Sequence, residues 1–157
     1  MLLTPPPSQA KELYSSDRIP VFGWLYPDGR NYYGVPDLGD GVKVAIHHEG
    51  EAATPETLRT RVDDRDEAVV RKFLKDHIPG LDGRVRSSIA CIYTNTPDYD
   101  FIVDFHPLHK NVLIVSACSG HGFKFTSSIG EAASELVTRG SAHLDLSRFS
   151  LQRFGTT

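Results

Sequence analysis

Residues 119–124, Ser-Gly-His-Gly-Phe-Lys, have the composition of a binding turn. They directly follow the apolar run NVLIVSAC at 111–118, which is typical of a fully buried strand. Glycines between a strand and a helix let a flat or anionic group approach the backbone amides closely, and Lys124 adds a positive charge beside them. This pattern predicts a site for a carboxylate next to a planar cofactor. The glycines also have a simpler explanation, because they permit positive φ angles in any turn.

A second group of polar side chains lies in residues 42–48, VKVAIHH. Their alternation is typical of a strand, and it places Lys43, Ala45 and His47 on the same face. An ammonium and an imidazole would therefore be neighbours. The simpler interpretation is that Lys43 is an edge-strand lysine that discourages aggregation.

A reactive cysteine is the third candidate. Cys91 lies in residues 84–96, RVRSSIACIYTNT, which we predict to form one long strand with a buried second half. Cys91 and Tyr93 would then project from the same face of that strand. A cysteine in such a segment is usually an inert small hydrophobe, so a reactive role needs further support.

The elements that must position these residues are strands with helices between them. Apolar and β-branched runs predict strands over 19–26, 31–36, 42–48, 84–96, 100–107 and 111–118. The first two strands indicate a hairpin around Pro27-Asp28-Gly29, and the last two indicate an antiparallel pair. Helical spacing predicts helices over 66–78 and from a Ser128/Glu131 capping box to Arg139. We predict an α+β fold, a mostly antiparallel or mixed β-sheet with two or three helices, in a single domain over residues 1–157.

Composition argues against several classes of function. The 157 residues are 39% hydrophobic with a formal net charge of -3, and no stripe of basic residues indicates a nucleic-acid surface. No apolar run approaches the roughly 20 residues of a membrane span, so we expect a cytoplasmic protein without a membrane partner. The two cysteines and the histidines lack the spacing of metal ligands or a redox pair, so we predict no metal site.

The order of several motifs resembles the C-terminal part of the monomeric sarcosine oxidase and N-methyltryptophan oxidase family. These are FAD-dependent amine oxidases of the D-amino-acid-oxidase superfamily. The resemblance lies in CIYTNTPDYDFIVDFHP, NVLIVSACSGHGFKF and HLDLSRFSLQRF, and it extends upstream through DRIPVFGW, YYGVP and VKVAIHHEG. It implies the fold of the substrate-binding part of such an enzyme. It also implies oxidation of a small N-substituted amino acid by O2, with peroxide as a product.

The resemblance implies a role for several residues at the flavin. FAD would be joined covalently to Cys91 through the flavin 8α-methyl group, and His121 would lie beside the flavin. The backbone of the glycine turn would line the flavin ring, through Gly120, His121, Gly122, Phe123 and Lys124. A thiol attacks as its thiolate, so Cys91 would need access and a suitable environment rather than burial.

Further roles implied by the resemblance concern the substrate and O2. Lys124 would bind the substrate carboxylate. Lys43 would activate O2 at the reduced flavin, where a cation stabilises the negative charge that develops on oxygen. His47 corresponds to an active-site histidine near the amine, and Tyr93 and Tyr33 correspond to active-site tyrosines.

Two positions depart from the family pattern. After Thr96-Pro97-Asp98, family members commonly have an acidic residue and a histidine, where this chain has Tyr99 and Asp100. A phenylalanine is common at the position of Cys118. Neither position corresponds to a catalytic group, so we expect the departures to affect substrate preference more than chemistry.

The 157 residues contain no Gly-x-Gly-x-x-Gly turn of the kind that holds the FAD pyrophosphate. We therefore expect the chain to be the C-terminal portion of a longer or split enzyme, with a missing N-terminal FAD-binding half as its partner. Two hypotheses follow. The chain is either the catalytic portion of an FAD-dependent amine oxidase or a stand-alone remnant or binding module without catalysis.

Overall fold

The computed structural model describes residues 1–4 and 11–155, and the chain divides into two compact units, Met1–Ile92 and Tyr93–Thr157. Each unit has its own hydrophobic core. The described residues form two α-helices, antiparallel strands and short 3₁₀ helices, which confirms the predicted α+β class. Among the described residues, no helix has the length and apolar character that crossing a membrane requires.

The first unit contains a five-stranded antiparallel sheet. Its strands are β1 (Leu2–Thr4), β2 (Phe22–Leu25), β3 (Asn31–Val35), β4 (Val42–His47) and β5 (Arg84–Ser87), in the order β2-β3-β4-β1-β5. The predicted hairpin is confirmed, because β2 and β3 pair antiparallel from Phe22 opposite Gly34 to Leu25 opposite Asn31. Gly29 supplies the positive φ of 90° in the turn between them.

Helix α1 (Asp64–His77) covers one face of this sheet. Asp63 begins the helix by accepting hydrogen bonds from the amides of Arg65 and Asp66, and the Asp66 side chain accepts from the Asp63 amide in return. The helix buries Phe73, whose ring stacks on Tyr32 of β3 with centroids 4.4 Å apart. Full burial of a large apolar side chain such as Phe73 contributes about 2 kcal/mol.

The predicted long strand over 84–96 is wrong beyond Ser87. Strand β5 pairs antiparallel with β1, with Ser87 opposite Leu2, the first residue of β1, and no strand among the described residues pairs with 88–96. Without a ladder, this segment has no regular structure, and Ile89 and Ile92 are 73% and 56% exposed instead of buried. The prediction that Cys91 and Tyr93 share a strand face therefore loses its basis.

The second unit is built on an antiparallel pair of strands, as predicted. Strand β6 (Ile102–His106) pairs with β7 (His109–Ser116), and helix α2 (Thr126–Arg139) packs against them. Phe101, Val103 and Ile129 form the core of this unit. Short 3₁₀ turns lie at Phe123–Phe125, Ser147–Phe149 and Leu151–Phe154.

Two details of this unit differ from the predictions. Strand β7 is not fully buried, because Val112 and Val115 are more than 40% exposed on a sheet of only two strands. Helix α2 begins at Thr126 rather than at a capping box on Ser128, because the 3₁₀ turn before it leads directly into helical geometry. Its predicted end at Arg139 is confirmed, with Gly140 in the left-handed conformation at φ 78°.

Candidate active site

In the first unit, three of the predicted site residues lie on one face of the β3–β4 pair. The pairing sets Tyr33 opposite Ala45, while Lys43 and His47 lie two positions away on either side of Ala45. Because side chains alternate along a strand, these residues point away from the face that carries the buried Tyr32, Val42 and Val44. The face opposite the core thus presents an ammonium, a phenol ring and an imidazole together.

Tyr33 is the centre of this group. The Lys43 Nζ lies 5.3 Å from the centroid of the Tyr33 ring, within the range in which a cation is attracted to an aromatic face. On its other side, the His47 ring lies 6.2 Å from the Tyr33 ring at an interplanar angle of 90°. His48 follows with a positive φ of 58°, and its ring centroid is 4.0 Å from that of His47. The Lys43 side chain is exposed at one end of this arrangement.

Cys91 also belongs to the first unit, as an exposed free thiol in the irregular segment after β5. It lies within electrostatic range of the Met1 amino group, as does Lys43. Burial lowers the pKa of that amino group and the Lys43 ammonium lowers it further, while the negative charge that Cys91 carries when ionised raises it. Cys91 and Lys43 thus share one charged neighbour, and the thiol is accessible to a ligand.

The glycine turn of the second unit is closely packed on one side. A Cβ at Gly122 would lie 1.8 Å from the carbonyl oxygen of Ala117, so the position accepts only glycine. Gly120 has a positive φ of 76° and is exposed. The amide of Phe125 donates to the Gly122 carbonyl and that of His121 to the Cys118 carbonyl. These two amides are therefore used within the turn and offer no donor to a group that approaches its backbone.

The side chains of the turn differ in exposure. His121 is half-buried, with its ring 4.7 Å from that of Phe101 and its Nδ1 3.0 Å from the Ser119 carbonyl oxygen. Lys124 is exposed, and its Nζ lies 5.3 Å from the centroid of the Phe125 ring. Phe123 is 95% exposed. Tyr93, the remaining predicted site residue, lies at the start of this unit and is half-buried.

Buried hydroxyls behind the turn were not predicted. Ser119 is fully buried, and its Oγ lies 3.3 Å from both the amide nitrogen and the Oγ1 of Thr96, which is itself buried. Asp98 then links Thr96 to the end of the unit, because its carboxylate accepts from Thr96 Oγ1 and from Arg153. Ser119 stands inside the motif SGHGFKF, but neither its burial nor its partner 23 residues away has a signal in the sequence.

A second polar group that was not predicted lies at the C-terminal end of α2. The potential ligand atoms of Glu131, Glu135 and His143 lie within 4.8 Å of one another. The Glu135 carboxylate accepts from the His143 amide and ring and from Arg139. These hydrogen bonds hold the loop after α2 against the helix. We therefore interpret the group as a structural contact between the helix and the loop.

Comparisons with known proteins identify the family of this chain. The profile of the FAD dependent oxidoreductase family matches residues 1–136. Monomeric sarcosine oxidase from Bacillus sp. (strain NS-129) is 42% identical over 125 residues, 78% of this chain and 32% of the relative. The enzyme of the same name from Arthrobacter sp. (strain TE1826) is 39% identical over 146 residues, 91% and 37% of the two chains.

A relative with a different name extends the comparison. N-methyl-L-tryptophan oxidase from Escherichia coli O157:H7 (strain EC4115 / EHEC) is 38% identical over 151 residues, which is 93% of this chain and 40% of the relative. The chain thus spans well under half the length of these three relatives, from 32% to 40%. The resemblance identified from the motifs is confirmed, and the chain belongs to the family of FAD dependent oxidoreductases.

Proposed function

We propose that this chain supplies flavin-ring and substrate contacts to an FAD-dependent oxidase of secondary amino acids such as sarcosine, with O2 as the electron acceptor and peroxide as a product. The observation that carries the proposal is the grouping of Lys43, Tyr33 and His47 on the sheet face opposite the core. The relatives named for sarcosine and for N-methyl-L-tryptophan support the class of substrate.

When bound, the flavin would supply the redox chemistry, with oxidation of the amine to an imine as the first step and two-electron reduction of O2 to peroxide as the second. Lys43 supports the second step, because its exposed ammonium stabilises negative charge on oxygen. Tyr33 limits the positions of the ammonium through its ring face, and His47 supplies a group that accepts or donates a proton near the amine.

The second unit contributes the binding of the substrate carboxylate. Lys124 is exposed, so its ammonium is available to pair with an anion, and the ring of Phe125 restricts its position. His121 is held between the Phe101 ring and the Ser119 carbonyl, which suits a fixed polar contact beside a flat ligand. Tyr93 and the backbone of residues 120–124 complete the proposed contacts.

The residues present fit a flavin ring in two respects. The Cys91 thiol is exposed, as covalent attachment to the flavin requires, and the exposed Gly120 has no side chain to keep a planar ring from the backbone. We assign Cys91 as the point of attachment. The ADP part of the cofactor has no matching motif in these residues, so a dinucleotide-binding region outside them would hold it.

A reconstitution experiment tests the proposal. The 157-residue protein is purified alone and together with the FAD-binding region of the Bacillus relative, and peroxide production is measured with sarcosine and with N-methyl-L-tryptophan. We expect peroxide in the mixture, and a raised KM for sarcosine in Lys124→Ala but not in the control Lys110→Ala. Absence of both flavin binding and peroxide in every mixture would contradict the proposal and favour a non-catalytic binding module.

A further inference from the structure

Ser119 combines two unusual properties at the start of the glycine turn. It is a fully buried polar residue, and its φ of 56° lies in the left-handed region that residues other than glycine seldom adopt. A buried hydroxyl is costly unless it is hydrogen-bonded, and a left-handed serine is held in place only when its surroundings favour it. The partners of Ser119 therefore determine the start of the turn.

In each hydrogen bond between Ser119 and Thr96, the donor and the acceptor can be assigned. Thr96 Oγ1 lies 2.6 Å from the Asp100 carbonyl oxygen and 3.1 Å from Asp98 Oδ1, and both of these only accept. The single Thr96 hydroxyl proton is used there, so Ser119 must be the donor in the 3.3 Å contact between the two hydroxyls. The Thr96 amide donates to the Ser119 oxygen, also at 3.3 Å.

The backbone of Ser119 continues this connection in both directions. Its amide donates to the Thr94 carbonyl at 2.9 Å, which joins the turn to the segment that begins with Tyr93. Its carbonyl oxygen lies 3.0 Å from Nδ1 of His121. Because a carbonyl cannot donate, this contact requires a proton on Nδ1, and in the neutral ring Nε2 then carries the lone pair.

We infer that Thr96 and Ser119 are positioning residues that hold His121 as the Nδ1-protonated tautomer, with Nε2 left to accept a hydrogen bond from a ligand. The Phe101 ring fixes the plane of the imidazole at 4.7 Å, and the Thr96–Ser119 pair fixes the carbonyl to which it is bonded. The catalytic meaning of this arrangement rests on the proposed function, since it concerns the ring that would lie beside the flavin.

The tautomer is tested without cofactor or turnover. Protein labelled with 15N-histidine is studied by NMR at a pH where the His121 ring is neutral, and His121→Gln identifies its signals. We expect a protonated Nδ1 and an unprotonated Nε2 in the wild type. Thr96→Val, which removes the hydroxyl acceptor of Ser119, should shift the ring toward the Nε2-protonated form, whereas Thr96→Ser keeps the hydroxyl and should keep the tautomer.

Two further variants separate the hydroxyl from the backbone strain. Ser119→Gly relieves the left-handed φ but removes the hydroxyl, and Ser119→Ala removes the hydroxyl and keeps the strain. If the hydroxyl pair is the cause, both lose the tautomer preference. An Nε2-protonated wild type would overturn the inference, as would an unchanged tautomer in folded Thr96→Val and Ser119→Gly.

Kinetics provide the readout that depends on the proposed function. In the reconstituted oxidase, Thr96→Val should lower kcat by up to about 10²-fold with a smaller change in KM, and Thr96→Ser should restore it. A wild-type protein with the expected tautomer but no peroxide production would contradict the proposed function alone. Full activity in a Thr96→Val variant that has lost the tautomer would contradict the positioning role alone.

Discussion

The ammonium of Lys43 lies 5.3 Å from the centroid of the Tyr33 ring, on the sheet face that points away from the core of the first unit. A lysine on a solvent-facing strand would otherwise sample many rotamers. The aromatic face limits this freedom and favours positions near the Tyr33 ring, which the His47 ring also contacts. The relationship connects a cation proposed to act on O2 with a ring that the resemblance assigned only as an active-site tyrosine.

Lys43→Met is expected to slow the reaction of the reduced flavin with O2 by about 10²-fold, since loss of a preorganised charge has effects of this order. Tyr33→Phe keeps the ring face and should leave this rate near that of the wild type. Tyr33→Leu removes the cation–π contact, which contributes about 0.5–1 kcal/mol at exposed sites. Stopped-flow reoxidation in the reconstituted oxidase measures the rates. Lys75→Met, an exposed lysine on α1, is the control, and an equal loss in that variant would remove the special role of Lys43.

Gly122→Ala should destabilise the protein by about 1–3 kcal/mol, because the new Cβ would lie 1.8 Å from the Ala117 carbonyl oxygen and the backbone would have to shift. Gly130→Ala is the matched control. Gly130 lies inside α2, and apart from its chain neighbours and its own helix backbone no atom lies within 4 Å of a Cβ there, so alanine should stabilise by about 0.5–1 kcal/mol. Urea unfolding measures both changes. Equal stability of the two variants would show that the contact with Ala117 relaxes at no cost.

Cys91→Ser is expected to abolish the flavin absorbance that survives acid precipitation, while the fold and noncovalent flavin binding persist. Cys118→Ser should retain this acid-stable flavin absorbance. The Cys118 thiol is half-buried and lies within hydrogen-bonding distance of Ser116, whereas the Cys91 thiol is exposed. Absorbance of the precipitated protein and the mass of the flavin-linked peptide distinguish the two cysteines. Covalent flavin in Cys91→Ser would exclude Cys91 as the attachment point.

The Asp98 carboxylate should make the stability of the second unit sensitive to acid. The hydrogen bond from Arg153 holds the pKa of Asp98 well below its usual range, with smaller contributions from the Asp100 amide and Thr96. A lowered folded-state pKa gives stability that is fully present above the unfolded pKa of 3.8 and is lost as the pH falls through the folded value. The gap in unfolding free energy between wild type and Asp98→Asn should therefore be largest near neutral pH.

Below about pH 4, the same gap should narrow as the Asp98 carboxylate is protonated in the unfolded chain and then in the folded chain. Urea unfolding from pH 7 to pH 2.5 follows this change. Asp145→Asn, which removes an exposed carboxylate that accepts from the nearby Ser147 amide, serves as a comparison for the general effect of losing a charge. A difference in unfolding free energy between wild type and Asp98→Asn that stays constant from pH 7 to pH 2.5 would contradict the lowered pKa of Asp98.

Local patterns in the sequence predicted much of this fold. The alternation in VKVAIHH predicted the common face of Lys43, Ala45 and His47, because one covered face of a sheet is enough to produce such a pattern. The prediction of one long strand over residues 84–96 was wrong, because a pattern within one segment does not show whether a pairing partner exists. Their apolar character predicts a buried strand, but strand formation depends on a partner elsewhere in the chain, and β1 provides pairing only up to Ser87.

The residue types of the candidate site could be predicted from the sequence, but the contacts that hold them in place could not. The glycines of SGHGFKF indicated a close backbone approach, and Gly122 against Ala117 has one. The role of Ser119 depends on Thr96, a contact across 23 residues that neither periodicity nor composition encodes. The roles assigned to Cys91 and Lys124 rest on the family resemblance and stay predictions.

The hydrogen bonds near the end of the second unit have a consequence for the order of folding. Arg153 bonds to Asp98 across 55 residues, and Ser150 and Leu151 bond to Asp104 across 46 and 47. Contacts of such long range form late, because a large loop must close before they stabilise anything. We therefore expect the contacts of the loop at Asp98 to be completed late in folding, after the residues around Arg153 have docked.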